Sequence, residues 1–184
     1  DLFEWFEYYL QGRGPKPEYT AQIQRSDGEW RVEESWPPSD SEGYLVDLGD
    51  CGNDGAFTGG PPVIGGGAPV VGGGQTVTVD CPEINPDFPM HISGLVTLHL
   101  SAVPSFDGGQ IFVEMQNMET GVRIGHATMD VRYHEGGYEP QTVIPGQEIT
   151  MMMEFQAIDA IVKPGQGIKF ILSDTGEDYL APAC

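Results

Sequence analysis

The side chains best able to do chemistry in this 184-residue chain are four histidines, three cysteines and 28 carboxylates. The histidines form two pairs, His91 with His99 and His126 with His134, each eight residues apart. Along one extended strand that spacing keeps both rings on one face but about 26 Å apart, too far to share a metal or pass a proton. They read as residues at strand ends rather than as ligands or bases. Cys51, Cys81 and Cys184 lack the close spacing of a metal site. A Cys51 to Cys81 bridge would close a flexible loop in an oxidising compartment, and free thiols are the default elsewhere. The run Asp50-Cys51-Gly52-Asn53-Asp54-Gly55 starts like a calcium loop. However, its third position is Gly52, and Pro61 stands where a bidentate glutamate is required, so an EF-hand is excluded. An irregular calcium site would have to draw on Asp47, Asp50 or Asp54. No serine lies in a G-x-S-x-G frame and no phosphate-binding loop is present, so nothing points to a nucleophile or a nucleotide. No catalytic residue, metal or cofactor is expected of this chain.

Large aromatics remain. Trp30 and Trp36 lie close to glycine-rich sequence, where such rings stack on a ligand or a neighbouring domain, or else cover the edge of a sheet. With Tyr138 they could also form a sugar platform. Met151-Met152-Met153 needs no special role, because alternate residues of a strand face the core and the middle one faces out.

The formal net charge is −20, with acidic residues spread along the chain. A surface of this sign repels phosphate backbones and anionic lipid, so neither nucleic acid nor membrane is an expected partner. Solubility accounts for the acidity, with adaptation to salt or attraction of cationic substrates as the functional alternatives. No apolar run approaches the roughly 20 residues of a membrane span.

The elements that would position these groups are strands. The 26 glycines and 15 prolines, with short alternating runs, argue for an all-β chain rich in turns. Strands are expected over Tyr19 to Gln24, Trp30 to Glu34, Tyr44 to Leu48, Thr76 to Asp80, Leu95 to Val103, Gln110 to Gln116, Val122 to Tyr133, Ile149 to Gln156 and Ile168 to Ser173. The sets Val96/Leu98/Leu100, Ile111/Val113/Met115, Ala127/Met129/Val131, Met151/Met153/Phe155 and Ile168/Phe170/Leu172 should each face one way. Such a pattern fits a two-sheet jelly-roll β-sandwich. Residues 49–74 carry eleven glycines and the paired runs Pro62-Val63-Ile64-Gly65-Gly66-Gly67 and Pro69-Val70-Val71-Gly72-Gly73-Gly74, which read as a long loop.

One segment does not fit the β pattern. In Asp1-Leu2-Phe3-Glu4-Trp5-Phe6-Glu7-Tyr8-Tyr9-Leu10, apolar and aromatic residues point all round a short helix, which Asp1 and Glu4 would cap and Gly12 would stop. So short a helix needs tertiary packing, and no downstream segment reads as a helix that could enclose it. The chain is therefore expected to be the C-terminal piece of a larger protein, with Phe3, Trp5 and Phe6 meeting a preceding domain. The alternative is that the helix plugs one end of the β-domain.

Several motifs, taken in order, resemble a known family. Phe3-Glu4-Trp5-Phe6-Glu7-Tyr8-Tyr9-Leu10-Gln11-Gly12, then Gly28-Glu29-Trp30-Arg31 and Ser35-Trp36-Pro37-Pro38, resemble the exit from the α/β-hydrolase domain in X-Pro dipeptidyl-peptidase and cocaine-esterase-like (CocE/NonD) serine hydrolases. Pro61-Pro62-Val63-Ile64-Gly65-Gly66 is similar to that family's proline and double-glycine loop. Ser93-Gly94-Leu95-Val96-Thr97-Leu98 resembles the entry to its C-terminal jelly roll, and Asp159-Ala160-Ile161-Val162-Lys163-Pro164-Gly165 the stretch before its last strands. Where the family commonly has Gly-His-Arg, this sequence has Gly165-Gln166-Gly167.

The resemblance implies a helix and linker over residues 1–14, leaving a catalytic domain, and a galactose-binding-like jelly roll over residues 15–184. It implies a non-catalytic role beside an aminopeptidase- or dipeptidyl-peptidase-like serine hydrolase: bracing the catalytic domain, shaping its cleft or burying an oligomer interface. The family's triad would precede the helix, so the chain alone is expected to be inactive. The competing expectation is a carbohydrate- or ligand-binding jelly-roll module.

Overall fold

A computed structural model describes residues 2–17, 21–43, 45, 77–81, 88–104 and 107–173, with residues 77–81 described as backbone. Cys51, Cys184, the glycine-rich run 49–74, the acidic positions Asp47, Asp50 and Asp54, and, apart from Leu45, the strand expected over Tyr44 to Leu48 lie outside the described residues.

The helix α1 spans Leu2–Gln11. It ends as its sequence requires: Gly12 adopts φ +64°, its N–H bonds the Tyr8 carbonyl at 3.1 Å, and the Arg13 N–H bonds the Glu7 carbonyl at 2.9 Å. The strands are β1 (Ala21–Gln24), β2 (Trp30–Glu33), β3 (Val77–Cys81), β4 (Met90–Gly94), β5 (Thr97–Ala102), β6 (Gln110–Asn117), β7 (Arg123–Asp130), β8 (Ile149–Glu154), β9 (Ile158–Val162) and β10 (Ile168–Ser173). A four-stranded sheet runs β3-β10-β6-β7, and three two-stranded ladders pair β1 with β2, β4 with β9 and β5 with β8, all antiparallel. The architecture is that of an all-β sandwich with one short N-terminal helix.

The alternating sets build the core. Ile111, Val113 and Met115 of β6, Ala127 of β7, Met151 and Met153 of β8, and Ile168, Phe170 and Leu172 of β10 are all buried in one cluster. Phe155 just after β8 meets Phe170 of β10 edge to face at 6.5 Å, joining the two layers. Met152 points outward between its buried neighbours, as alternation demands. Gly125 of β7 serves close packing, since a Cβ there would lie 2.6 Å from Ile158 Cδ1.

The structure corrects three expectations. The run Val122 to Tyr133 is not one strand: β7 stops at Asp130, whose carboxylate accepts the Arg132 N–H at 2.9 Å and caps a 3₁₀ turn over Val131–Tyr133. Two strands were not expected, β4 and β9, and they pair with each other. The histidines are not strand-end residues as a class: His99 and His126 sit within β5 and β7, while His91 and His99 lie on separate strands.

Candidate functional site

β4 and β9 carry the most interactive polar cluster among the described residues. Asp159 lies in β9 between Ile158 and Ala160, and its side chain is wholly buried. A carboxylate removed from water must be paired, and two strands supply the partners. From β2, Arg31 Nε donates to Asp159 Oδ2 at 2.9 Å and Nη2 to Oδ1 at 3.1 Å, a bidentate fork. From β4, His91 Nε2 bonds Asp159 Oδ1 and must carry the proton, because an ionised carboxylate only accepts. Arg31 also donates from Nη2 to Ser93 Oγ at 2.6 Å and pairs through Nη1 with Glu33. Burial alone would raise the Asp159 pKa, but the hydrogen bonds from Arg31 and His91, with their charges, outweigh it and hold the carboxyl below the ordinary carboxylate range. The bond to Asp159 likewise holds the Arg31 guanidinium above its usual value.

Serine, histidine and aspartate thus meet in one cluster, yet the connectivity is not that of a nucleophile triad. A triad places the imidazole between carboxylate and hydroxyl. Here the Ser93 hydroxyl accepts from a guanidinium, while the imidazole nitrogen that would face it is bonded to Asp159. The cluster is a clamp. It fastens the inward face of the β1–β2 hairpin to the sandwich, and the Ser26 N–H adds a 2.8 Å bond to the Asp159 backbone carbonyl.

The clamp fixes which residues point outward. Along β2, Arg31 and Glu33 turn in, whereas Trp30 and Val32 turn out and are 65% and 63% exposed. Trp36 is half-buried, with its indole Nε1 enclosed. The neighbouring Pro37 packs so near Gly94 that a Cβ there would lie 3.2 Å from Pro37 Cβ. Tyr138 is fully exposed on a connection tied at its base by the Gly136 N–H to Tyr133 carbonyl and Gln141 N–H to Arg132 carbonyl bonds. On α1, Trp5 stacks edge to face on Phe6 at 5.4 Å and lies 4.9 Å from Tyr9. No residue of α1 is buried, and Phe3, Trp5 and Phe6 remain exposed. Of the six sequence-selected aromatics, Trp5 and Phe6 meet ring to ring.

Sequence reasoning missed Arg31, His91, Ser93 and Asp159 as one unit. It also undervalued Gln166, whose Oε1 accepts from Asn117 Nδ2 at 3.0 Å and from the Lys163 N–H at 2.9 Å, tying two turns together. No group of three or more metal-binding side chains occurs among the described residues, and no helix among them is long and apolar enough to cross a membrane.

The sequence matches no described protein-family profile and no curated protein. Solved structures do match. An aminopeptidase from the marine sediment archaeon Thaumarchaeota archaeon aligns with TM-score 0.57 at 13% identity, over 99% of this chain and 38% of its own. A CocE/NonD family hydrolase from Staphylococcus aureus aligns with TM-score 0.55 at 10% identity, over 95% of this chain and 37% of its own. The chain spans little more than a third of the length of these neighbours. At such identities the likeness is one of fold, and it agrees with the motif resemblance: this chain has the fold of one part of the CocE/NonD-type hydrolases.

Proposed function

We propose that this chain is the non-catalytic β-domain of a serine hydrolase of the aminopeptidase or dipeptidyl-peptidase kind, bracing an α/β-hydrolase catalytic domain and shaping its substrate cleft. The observation that carries this reading is α1. It keeps none of its residues buried, on a chain whose fold accounts for only 37–38% of its hydrolase neighbours. Fully burying a large apolar side chain contributes roughly 1.5 to 3 kcal/mol, so four exposed aromatics forfeit several kcal/mol unless a further surface covers them. A catalytic domain is the occupant that both the fold neighbours and the motif order support. The clamp gives the β-domain no nucleophile with a base, which supports a bracing role.

A sugar-binding module is the competing reading. It needs neighbouring rings, and Trp30, Trp36 and Tyr138 share no ring contact among the described residues. The test is hydrolysis of aminoacyl and dipeptidyl chromogenic substrates by the purified chain. No turnover is expected, and turnover that follows the chain through repeated purification overturns the reading.

A further inference from the structure

All seven methionines of the chain fall among the described residues, and three of them are consecutive on β8. Strand alternation divides those three. Met151 and Met153 are 0% and 1% exposed in the core, while Met152 is 54% exposed on the opposite face. Met115 is buried and Met90, Met118 and Met129 are half-buried, so Met152 is the one methionine of the seven that lies open. Its surroundings are polar. The β5–β8 ladder turns outward Thr97 opposite Glu154, His99 opposite Met152 and Ser101 opposite Thr150, the last two with hydroxyl oxygens 3.3 Å apart. Met152 is the apolar exception on that face. His99 is exposed, and no hydrogen bond or ion pair engages it among the described residues. Directly opposed residues on one face have Cβ atoms about 4.5 to 5.5 Å apart, so the imidazole N–H is within reach of the Met152 sulfur and of any atom added to it.

We propose that Met152 is a reversible oxidation site, oxidised by peroxides, whose sulfoxide oxygen accepts a hydrogen bond from His99 across the ladder. A sulfur lone pair attacks one peroxide oxygen; the S–O bond forms as the O–O bond breaks, sulfur gives up two electrons, and the peroxide leaves as water or an alcohol. A thiol-dependent sulfoxide reductase reverses the step, releasing the oxygen as water while two thiols become a disulfide. Position decides what the added oxygen costs. A thioether is a weak acceptor that leaves His99 idle, whereas a sulfoxide oxygen is a polar acceptor facing both water and an imidazole donor. The flexible methionine side chain can turn that oxygen toward the ring. At Met151 or Met153 the same oxygen would enter the apolar cluster, where an unpaired polar group is destabilising.

The test exposes the full-length polypeptide that contains this chain to dilute hydrogen peroxide and reads each methionine by peptide mass mapping. Met152 should oxidise at least about tenfold faster than Met151 and Met153, and severalfold faster than Met90, Met118 and Met129, a ranking that disappears in urea. With Met152 oxidised, amide exchange over β5 and β8 should stay within about twofold of the unoxidised protein. In His99→Leu the thioether should react as fast, but its sulfoxide should speed exchange over both strands severalfold; His99→Gln, which keeps a donor, should behave as wild type. Methionine sulfoxide reductase with dithiothreitol should restore the thioether in the folded protein. Equal rates at Met152 and the half-buried methionines, a wild-type sulfoxide that loosens β8, exchange indifferent to His99→Leu, or an oxide the reductase does not remove each overturn the inference.

Discussion

The sandwich core and helix α1 are built from the same kinds of residue and treat them in opposite ways. Phe155 after β8 is 2% exposed, meets Phe170 and lies over Gly125, where there is no room for another carbon. Phe3 on α1 is 80% exposed, and the ring contacts around it join helix residues to one another. In the core, alternation along strands gathers the inward apolar side chains of β6, β7, β8 and β10 into one buried cluster. In the helix, apolar residues all round the axis leave most of them without a buried place on this domain. The difference teaches that hydrophobic content alone does not define a folding unit; what matters is whether its period matches the surface facing it.

The largest effect should come from the core. Phe155→Ala is expected to cost about 3 to 5 kcal/mol in urea denaturation, through lost burial and the cavity left behind. Phe6→Ala on α1 should change the stability of the isolated chain by less than about 0.5 kcal/mol. Equal losses at both positions would break the contrast between the two regions.

Next comes the clamp. Asp159→Asn takes from Arg31 its buried counter-charge, leaving only Glu33, and should destabilise the chain by about 2 to 3 kcal/mol, reduced from the fully buried case because Arg31 keeps that second partner and 26% of its side-chain surface. The pH dependence has a defined sign. Because the folded Asp159 carboxyl lies below its ordinary value, its contribution is complete above the unfolded pKa and disappears as pH falls through the depressed one. The difference between wild type and Asp159→Asn should therefore be full at pH 5 and shrink below about pH 4. A difference that grows on acidification would show that the charge pair is not what fastens the hairpin.

Much of the sandwich was legible because its strands alternate, and β10 matches its expected bounds Ile168 to Ser173. β9 was not, since Ile158, Asp159, Ala160 and Val162 are all buried and the strand has no polar face to mark its period. The carboxylate at its second position is a paired interior charge. A signal was available: a lone acid among apolar residues needs a cation, the chain has only eight, and Arg31 occupies an inward position of a short strand. β4 was hidden by its short, half-polar sequence Met90-His91-Ile92-Ser93-Gly94, whose polar members face the clamp rather than water alone. The register that joins β4 to β9 connects positions far apart in sequence, and local pattern carries no information about it. The helix was legible as a helix, stop signal included, because both the apolar content and Gly12 are local features.

Amide hydrogen exchange over Leu2–Gln11, compared between the isolated chain at a concentration where it is monomeric and the full-length polypeptide containing it, tests the central claim most directly. A ten-residue helix with no buried side chain is marginal in water, so exchange in the isolated chain should be nearly unprotected. In the full-length protein the same amides should exchange at least about 100-fold more slowly if, as proposed, a catalytic domain covers them. Strong protection in the isolated monomer, or none in the full-length protein, would contradict the account and make the helix either an element of this domain or a segment without a partner.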